Sequence, residues 1–358
     1  MKIAILGCAG SIGTQTLECI DNLSGYEVSA LVTYSNSAVL KEQCKKYHPQ
    51  YSALIRESGV DCLKRAIDTA DIAVIATSGI TALEPILYAI KKGVKVALAN
   101  KESLVVGGVL INETLAAYGG SLYPIDSEHS ALWQCLKCGK KEEVKNIYLT
   151  ASGGAFRDYT IMQLQNAKAK EALEHPTWKM GKKITVDSAT MMNKGLEIIE
   201  AYYLFGQYAK VIINRESIIH SYVEYVDGAI IAQMGNPDMK MAIQYALTYP
   251  KRMETNVKPL DLAKIGILHF EDADRQRFPC LAIAEDVLKY DKSKAVVMSA
   301  ANDVCVNAYI EGKIGFYDIS DIIKQTINDI TIHSISSVEE IIMADKVTRN
   351  YVYGKIYK

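Results

Sequence analysis

Over the first third of the chain, short apolar runs alternate with segments in which apolar residues recur at helical spacing. The apolar runs are KIAILG, VSALVTY, YSALI, DIAVIATSG and VKVALAN. Runs of this length bounded by polar or glycine residues indicate buried strands, and the segments between them indicate helices. Strands that alternate with helices predict a parallel, doubly wound sheet.

The pattern changes from Lys145 onward. NIYLTAS predicts a strand that runs into a glycine-rich loop, and DSATMMNKGLEIIEAYYLF predicts one long helix. KVIIN, SIIHSYVEYVDG and AIIAQMG predict strands of an antiparallel or mixed sheet, and the last part of the chain has helical periodicity. We therefore predict an α/β protein with a Rossmann-like domain over 1–125, an α+β domain over 126–251, a linker over 252–277 and a helical bundle over 278–358.

Composition narrows the possible classes of protein. A chain of 358 residues can bury a large core, and a formal net charge of −1 gives no overall field that would attract nucleic acid or a membrane surface. The sequence has no apolar run of roughly 18 residues, and its start, MKIAILG, enters a strand at once. Eight scattered cysteines fit reduced thiols better than disulfides. We expect a cytoplasmic protein without nucleic-acid or membrane partners.

A glycine turn follows the first predicted strand. Gly7, Gly10 and Gly13 in KIAILGCAGSIGTQTLECI form a G-x-x-G-x-x-G pattern between a strand and a helix. Such a turn brings backbone N–H groups and the positive end of a helix dipole close to a pyrophosphate. A tight strand-to-helix turn without a ligand is the alternative, but the position at the head of the alternating region favours nucleotide binding.

The end of the second predicted strand bears on the choice of nucleotide. Enzymes that bind NAD place a carboxylate there for the ribose hydroxyls, but this strand ends LVTYSNS. The missing negative charge admits a 2′-phosphate and favours NADP over NAD. The turn itself holds no arginine or lysine.

Two carboxylates follow the predicted strand SLYPI. Asp126 and Glu128 stand two residues apart, and in an extended segment their side chains would project to the same side. The carboxyl edge of an open α/β sheet is where ligands bind. The alternative is a helix start, with Asp126 or Ser127 as N-cap and Glu128 in the first turn.

A polar trio lies in the otherwise apolar predicted helix. Asn193, Lys194 and Glu197 are spaced to meet on one helical face, where buried charge needs a partner or a metal. A solvated salt-bridge face is the alternative. With Asp126 and Glu128, the third carboxylate predicts a site for a hard divalent cation, Mg²⁺ or Mn²⁺.

Six blocks of sequence together resemble one family. They are GCAGSIG, ALANKESLV, PIDSEHSA, TASGGAFRD, HPTWKMGKKITVDSATMMNKGLE and GNPDM, in chain order. They are similar to the 1-deoxy-D-xylulose 5-phosphate reductoisomerases. The resemblance implies a homodimeric enzyme that uses NADPH and a divalent metal to rearrange and reduce 1-deoxy-D-xylulose 5-phosphate, a sugar phosphate, to 2-C-methyl-D-erythritol 4-phosphate for isoprenoid precursor synthesis.

The resemblance also implies residue roles. It implies a catalytic domain over 126–251 with a mobile lid, and it adds Lys101 as the active-site lysine beside the metal ligands Asp126, Glu128 and Glu197. The implied substrate-binding residues are Ser127, Ser152, His175, Trp178, Met180, Ser188, Asn193 and Lys194. The implied cofactor-binding residues are Gly7, Cys8, Ala9, Gly10, Ser11, Ile12, Gly13, Ser35, Asn36, Asn100 and Glu102.

The chain departs from the family pattern at two places in the cofactor region. Cys8 and Ala9 stand where the family turn has hydroxyl residues, so one or two side-chain hydrogen bonds to phosphate are lost. Ser35 stands where members often carry lysine or arginine for the 2′-phosphate, which weakens the expected preference for NADPH. Two other functions stay open at this point: another NADP-dependent Rossmann dehydrogenase, and a non-catalytic NADPH-binding protein.

Overall fold

A computed structural model describes residues 1–178, 180–332 and 335–357. Strands and helices alternate in its first part, as the apolar pattern predicts. In chain order they are β1 (Lys2–Leu6), α1 (Ser11–Ile20), β2 (Glu27–Thr33), α2 (Ser37–Tyr47), β3 (Tyr51–Leu54), α3 (Ile55–Ser58), α4 (Asp61–Ile67), β4 (Ile72–Ile75), α5 (Leu83–Lys91), β5 (Lys95–Leu98), α6 (Lys101–Tyr118), β6 (Leu122–Pro124) and α7 (Ser127–Cys135).

These strands form one parallel sheet in the order β3-β2-β1-β4-β5-β6. Its central strands are buried on both faces; all of β4, for example, is inaccessible to solvent, as expected of a sheet covered by helices on both sides. The strand order reverses direction between β1 and β4, which makes the carboxyl ends of these two strands the switch point of the fold. The predicted doubly wound sheet is confirmed.

The second part of the chain contains a second sheet. In chain order the elements are β7 (Val144–Ala151), α8 (Ile161–Gln165), α9 (Ala169–Ala172), α10 (Lys182–Ala189), α11 (Met192–Phe205), β8 (Ala209–Asn214), β9 (Ile219–Tyr225), β10 (Ile230–Met234), α12 (Met239–Thr248), α13 (Leu262–Ile265), β11 (Phe270–Asp272), α14 (Pro279–Tyr290), α15 (Ala295–Ile310), α16 (Phe316–Asp329) and α17 (Val338–Ile356). The sheet order is β10-β9-β7-β8-β11, with β7 and β8 parallel and the other neighbours antiparallel. This confirms the predicted mixed sheet.

The chain divides into two compact units. The N-terminal unit comprises Met1–Trp133 and Asp238–Pro259, and the C-terminal unit comprises Gln134–Pro237 and the chain from Leu260 onward. Helix α12 falls within the span 126–251 that the sequence assigns to the α+β domain, yet it packs against α1, β5 and β6. Its apolar residues Ile243, Ala246 and Leu247 are buried in the same core as β1 and β2.

The prediction of one long helix is wrong for the stretch DSATMMNKGLEIIEAYYLF, because two helices meet there. Helix α10 ends at Ala189, and Met191 adopts a left-handed backbone conformation, with φ 62°, before α11 begins. The hydroxyl of Thr190 accepts a hydrogen bond from the backbone N–H of Met192, which satisfies one free amide at the new helix start. The break places Ser188 on α10 and Asn193 on α11.

The last part of the chain is helical, as predicted. Helix α15 is buried along most of its length and packs against α10, α16 and α17. The strand β11 lies inside the span predicted as linker, where three residues gave no clear strand pattern. Of the helices within the described ranges, none combines the length and the apolar composition needed to cross a lipid bilayer.

Candidate active site

The glycine turn after β1 is a backbone cradle that larger residues cannot form. Gly7 has φ 100°, and a Cβ atom there would lie 2.4 Å from the carbonyl oxygen of Ala76. A Cβ atom at Gly13 would lie 2.3 Å from the carbonyl oxygen of Gly7. Glycine at both positions therefore lets the turn close tightly onto β4 and α1.

The turn lies at the switch point of the sheet and leads directly into α1. Gly10 is the N-cap of this helix, and no side chain within the described residues caps it. The first-turn amides of Ser11, Ile12 and Gly13 have no intrahelical acceptor, so they are available to an anionic ligand. The geometry of the turn fits a dinucleotide pyrophosphate.

Cys8 and Ala9 differ in their surroundings within this turn. The Cys8 side chain is fully buried in the core of the sheet, and burial raises the pKa of its thiol to about 12. Its N–H donates to the carbonyl of Val32 at 3.0 Å, and its carbonyl accepts from the Gln43 side chain. Cys8 therefore fixes the turn onto β2 and α2, and Ala9 is half-buried beside it.

Ser35 and Asn36 are exposed at the carboxyl end of β2. The Asn36 side-chain oxygen caps α2 by accepting from the N–H of Val39 at 3.2 Å. Ser35 offers a neutral hydroxyl. The structure places both residues at the sheet edge that the cofactor prediction requires.

Lys101 and Asp126 meet because their strands are neighbours. Lys101 begins α6 after β5, and Asp126 follows β6, which pairs with β5 in parallel. The Lys101 Nζ atom lies 3.0 Å from Asp126 Oδ2, and the Nδ1 atom of the buried His129 lies 3.5 Å from Oδ1. Burial acts to raise the pKa of the Asp126 carboxyl, but Lys101 and His129 outweigh it and hold the pKa well below its usual value.

The Asp126–Glu128 segment is a helix start, so the predicted extended conformation is wrong. Asp126 Oδ1 accepts a hydrogen bond from the N–H of Glu128 at 3.3 Å, and Ser127 and Glu128 form the first turn of α7. The Ser127 hydroxyl donates to Glu128 Oε2 at 2.6 Å. The helix-cap alternative therefore describes the backbone, and the two carboxylates still stand at the carboxyl edge of the sheet.

Asn100 and Glu102 flank the active-site lysine candidate. Asn100 Oδ1 caps α6 through the N–H of Ser103, while its Nδ2 donates to the carbonyls of Thr77 and Gly79 at 2.7 and 2.9 Å. Glu102 lies in the first turn of α6, with Oε2 3.4 Å from Asn100 Nδ2. Asn100 thus ties the loop after β4 to the loop after β5, next to the glycine turn.

Helix α11 brings Asn193, Lys194 and Glu197 together, as their spacing predicts. Asn193 Nδ2 and Lys194 Nζ each donate to one oxygen of the Glu197 carboxylate. Lys194 is 3 % exposed and Glu197 1 % exposed, so the pair does not lie on a solvated face. Gly195 lets the helix approach α14, since a Cβ atom there would lie 2.6 Å from Ala284 Cβ.

The C-terminal unit also contains a serine–histidine cluster, formed by Ser152, His175 and Ser188. His175 Nε2 lies 3.1 Å from the hydroxyl oxygens of both Ser152 and Ser188. Glycine makes this approach possible, because a Cβ atom at Gly154 would lie 2.5 Å from the carbonyl oxygen of Ser188. Burial, and then the charge of Arg157, lower the pKa of His175 to about 4.

The segment after His175 is held by hydrogen bonds to the cluster. His175 Nδ1 accepts from the backbone N–H groups of Thr177 and Trp178, at 3.2 and 2.9 Å. The Thr177 hydroxyl lies 3.2 Å from that of Ser217, and the Trp178 ring lies 6.3 Å from that of His220. Met180 is half-buried, and Lys179 of the predicted lid lies outside the described residues.

Helix α10, which carries Ser188, is anchored from behind. The buried Asp187 accepts from Asn302 Nδ2 at 2.8 Å and pairs with Lys183 at 2.9 Å. Burial raises the pKa of Asp187 above its usual value, with Lys183 and Asn302 opposing. This anchoring fixes the position of the Ser188 hydroxyl.

The sequence reasoning missed two buried groups beside these clusters. His129 contacts Asp126 from three residues along α7, and Glu200 is buried three residues beyond Glu197 on α11. Spacing could have identified both residues, because each stands one helical turn from a predicted ligand.

The chemistry of the groups fits a cofactor and a metal. Asp126 and Glu128 in one unit and Glu197 in the other present hard carboxylate oxygens, which suit Mg²⁺ or Mn²⁺ rather than a soft metal. The serines, with the amide of Asn193 and the ammonium of Lys194, are donors suited to a phosphate. The glycine turn suits a dinucleotide.

Comparison with family models gives one consistent result. Residues 3–72 and 65–108 match the model "1-deoxy-D-xylulose 5-phosphate reductoisomerase". Residues 122–205 match the C-terminal domain of the same family, and residues 234–351 match a further model described as the DXP reductoisomerase C-terminal domain. Together these matches cover most of the chain.

Individual proteins agree with the family models. A Geobacillus 1-deoxy-D-xylulose 5-phosphate reductoisomerase is 43% identical over 374 residues, covering 98% of this chain and 98% of the relative. The solved Zymomonas mobilis reductoisomerase in complex with NADPH is 37% identical, with a TM-score of 0.94 and coverage of 99% and 98%. A solved DOX-P reductoisomerase in complex with NADPH, fosmidomycin and magnesium is 36% identical, with a TM-score of 0.93 and coverage of 100% and 98%.

Proposed function

The chain belongs to the 1-deoxy-D-xylulose 5-phosphate reductoisomerase family, and from this premise we propose which residues carry the reaction. The enzyme converts 1-deoxy-D-xylulose 5-phosphate to 2-C-methyl-D-erythritol 4-phosphate with NADPH and a divalent metal ion. The family membership favours this activity over another Rossmann dehydrogenase or a non-catalytic NADPH-binding protein. The ion-paired, ionised Asp126 at the carboxyl edge of the parallel sheet is the observation on which the residue assignments depend.

We assign Asp126, Glu128 and Glu197 as the metal ligands. A divalent ion held by them supplies Lewis-acid stabilisation of negative charge on the substrate's carbonyl and hydroxyl oxygens. Lys101 keeps Asp126 ionised and oriented as a ligand. A carboxylate that needs no deprotonation is ready to bind a cation at neutral pH.

Lys101 stands next to the reacting oxygens in this assignment. Its ammonium, 8 % exposed, lies within ion-pair distance of Asp126. It can stabilise an oxyanion or pass a proton to it, because both actions need a donor close to the developing charge. Ser127 orients Glu128 through its hydroxyl.

We assign the substrate phosphate to the serine–histidine cluster together with Asn193 and Lys194. Its oxygens accept from hydroxyl, amide and ammonium donors, and charge-assisted bonds of this kind are the strong ones. The Glu197 carboxylate holds Asn193 and Lys194 in place before substrate arrives. Pre-positioned donors lower the entropic cost of binding.

The loop from His175 to Met180 is proposed as the lid over the substrate. The hydrogen bonds from Thr177 and Trp178 to His175 Nδ1 link the lid backbone to the phosphate site. A lid tied to that site closes where the substrate binds, and Trp178 and Met180 offer apolar cover against water.

The cofactor is assigned to the N-terminal unit. The pyrophosphate lies on the glycine turn, the adenosine end lies near Ser35 and Asn36, and the nicotinamide lies near Asn100 and Glu102. Bound NADPH supplies the hydride that reduces the rearranged aldehyde. Asn100 fixes the two loops that would flank the nicotinamide ring.

Further assignments concern the whole chain. We propose a cofactor domain at 1–125, a catalytic domain at 126–251, a linker at 252–277 and a helical domain at 278–358, and a homodimer that sedimentation would test. We also propose a cytoplasmic location without nucleic-acid or membrane partners, which is supported by eight free cysteines that suit a reducing compartment.

A steady-state assay tests the activity. Purified protein with 1-deoxy-D-xylulose 5-phosphate, NADPH and Mn²⁺ is expected to consume NADPH, and EDTA is expected to stop it. Full turnover in metal-free buffer would contradict the metal requirement. Loss of NADPH absorbance gives the rate, and product analysis identifies 2-C-methyl-D-erythritol 4-phosphate.

A substitution in the same assay tests the ligand assignment. Glu197→Gln is expected to lower kcat at least about a hundredfold, because a metal contributes several kcal/mol of charge stabilisation. The Kd for NADPH should not change. Glu339→Gln, the same change at an exposed position in α17, is the matched control. Wild-type kcat in Glu197→Gln would refute the assignment.

A further inference from the structure

The carboxyl ends of β2 and β3 bring a second segment next to Ser35. The two strands pair in parallel, with Thr33 opposite Leu54. The pairing continues beyond the strands, because the backbone N–H of Arg56 donates to the carbonyl of Tyr34 at 3.0 Å. Arg56 therefore lies beside the Tyr34–Ser35 peptide, at the same edge of the sheet as the glycine turn.

The guanidinium of Arg56 is uncommitted. The residue is exposed, and its side chain makes no ion pair or hydrogen bond with any residue within 1–178, 180–332 and 335–357. Arg215, Arg275 and Arg349, in contrast, are paired with carboxylates. A free arginine at a ligand-binding edge keeps all its donors available to a ligand.

The cofactor requires a positive charge at this place. NADPH differs from NADH by a 2′-phosphate on the adenosine ribose, and the ribose end of a dinucleotide lies at the end of the second strand. Ser35 at that point supplies only a neutral hydroxyl. A guanidinium matches the oxygens of a phosphate in a two-pronged geometry that a hydroxyl cannot provide.

We propose that Arg56, at the end of β3, binds the 2′-phosphate of NADPH and sets the preference for NADPH over NADH. It takes the place of the basic residue that is missing at Ser35. This assignment rests on the proposed placement of the cofactor on the glycine turn. It is independent of the metal and substrate assignments, because the 2′-phosphate takes no part in the chemistry.

Equilibrium binding in the absence of metal and substrate tests the proposal. The Kd values for NADPH and NADH are measured through nicotinamide fluorescence for wild type, Arg56→Ala and Arg56→Lys. Arg56→Ala is expected to raise the Kd for NADPH by about ten- to a hundredfold, the range of a lost charge-assisted hydrogen bond, and to leave the Kd for NADH within about twofold. Arg56→Lys should fall between wild type and Arg56→Ala.

A matched control removes an arginine from the other end of the sheet. Arg65→Ala changes an exposed arginine in the last turn of α4, which leads to the amino end of β4. It should leave both Kd values unchanged, so a change shared with Arg56→Ala would reflect net charge alone and overturn the proposal.

Two further results would also overturn it. One is a Kd for NADPH in Arg56→Ala within about twofold of wild type, which no lost charge-assisted bond would give. The other is an equal loss of NADPH and NADH binding in a variant with the wild-type thermal midpoint. Since no turnover is measured, failure of the proposed reaction would leave this test intact.

Discussion

His175 shows how one side chain can organise the proposed phosphate site without carrying charge. Two backbone N–H groups donate to its Nδ1, so the ring proton is on Nε2, facing the hydroxyl oxygens of Ser152 and Ser188. When the imidazole donates to a serine oxygen, the hydroxyl proton of that serine is free to point at a phosphate oxygen. The neutral ring thus turns the serines into donors.

The low pKa of His175 predicts a pH-dependent contribution to stability. The folded value is about 4, against 6.5 for an ordinary histidine. Between these values the unfolded chain binds more protons than the folded chain, so the free energy of unfolding falls as pH falls from 6.5 toward 4. Substituting His175 by Asn keeps an acceptor for the loop amides and removes the titrating group. Urea unfolding at several pH values should show the wild-type advantage shrinking as the solution becomes more acidic.

The control for this experiment is His48→Asn. His48 is an exposed residue at the C-terminus of α2 with a left-handed backbone, which asparagine tolerates. The substitution replaces a histidine of the N-terminal unit, so an equal change in the pH profile of both variants would contradict the assignment of the effect to His175. A stability difference between wild type and His175→Asn that is constant from neutral to acidic pH would show that His175 is protonated equally in both states.

At the same scale, sequence spacing predicted some contacts and missed others. The trio Asn193, Lys194 and Glu197 was found because helix geometry fixes contacts three and four residues apart. The ion pair between Lys101 and Asp126 depends on β5 and β6 being adjacent in the sheet. The order of strands in a sheet cannot be predicted from the spacing of residues within one segment. The resemblance named these two residues, but only the fold explains their contact.

At the scale of elements, the break between α10 and α11 shows what periodicity cannot detect. Left-handed backbone is usually marked by glycine or asparagine, but here it falls on Met191. The apolar pattern runs through the break, so it predicted one helix. The Met191 side chain is buried. Packing around a buried residue can hold an uncommon backbone conformation, and a local sequence window does not reveal such packing.

The strand–turn–helix unit at β1 and α1 makes the opposite case, since its glycines predict both conformation and function. Gly13→Ala places a Cβ atom 2.3 Å from the carbonyl oxygen of Gly7 and 2.6 Å from Cys8 Cα. Both neighbours are backbone and cannot rotate away. We expect a loss of about 1–3 kcal/mol in the free energy of unfolding, from overpacking, and weaker NADPH binding because the turn must open. Urea unfolding and NADPH fluorescence measure the two effects.

The matched change is Gly354→Ala in α17. This glycine has ordinary helical backbone and open space around its Cβ position, so alanine should stabilise the helix by up to about 1 kcal/mol. NADPH binding should be unaffected. If Gly13→Ala bound NADPH as tightly as wild type, the turn would not be the pyrophosphate site.

At the scale of the whole molecule, the alternating pattern predicted the parallel sheet. It did not predict that the later segment Asp238–Pro259 joins the N-terminal unit that contains this sheet. Helix α12 follows strands β7 to β10 of the second sheet in sequence, and yet it buries Ile243 and Leu247 in the core of the first unit. The pattern of apolar residues along α12 does not indicate which of the two cores the helix packs against. Which core buries it depends on long-range packing, so local composition does not show that Asp238–Pro259 belongs to the N-terminal unit.

The distribution of cysteines over both units allows the whole fold to be tested at once. All eight are free thiols; Cys138 is exposed, Cys44 is half-buried and the other six are buried. Burial raises the pKa of Cys19 and Cys305 to about 12. Since the thiolate is the reactive form, these groups are protected both by exclusion of the reagent and by protonation.

Titration with a thiol reagent under native conditions should therefore give one fast thiol, one slower thiol and six that react only as the protein opens. Denaturant should release all eight without a reductant. Cys138→Ser is expected to remove the fast phase and leave the slower phases unchanged, whereas Cys44→Ser should remove the second. Rapid reaction of three or more thiols would mean that a core in one of the units is open, because every cysteine other than Cys138 and Cys44 is buried. Fewer than eight in denaturant would mean that a pair of them is oxidised, which would also argue against a reducing compartment.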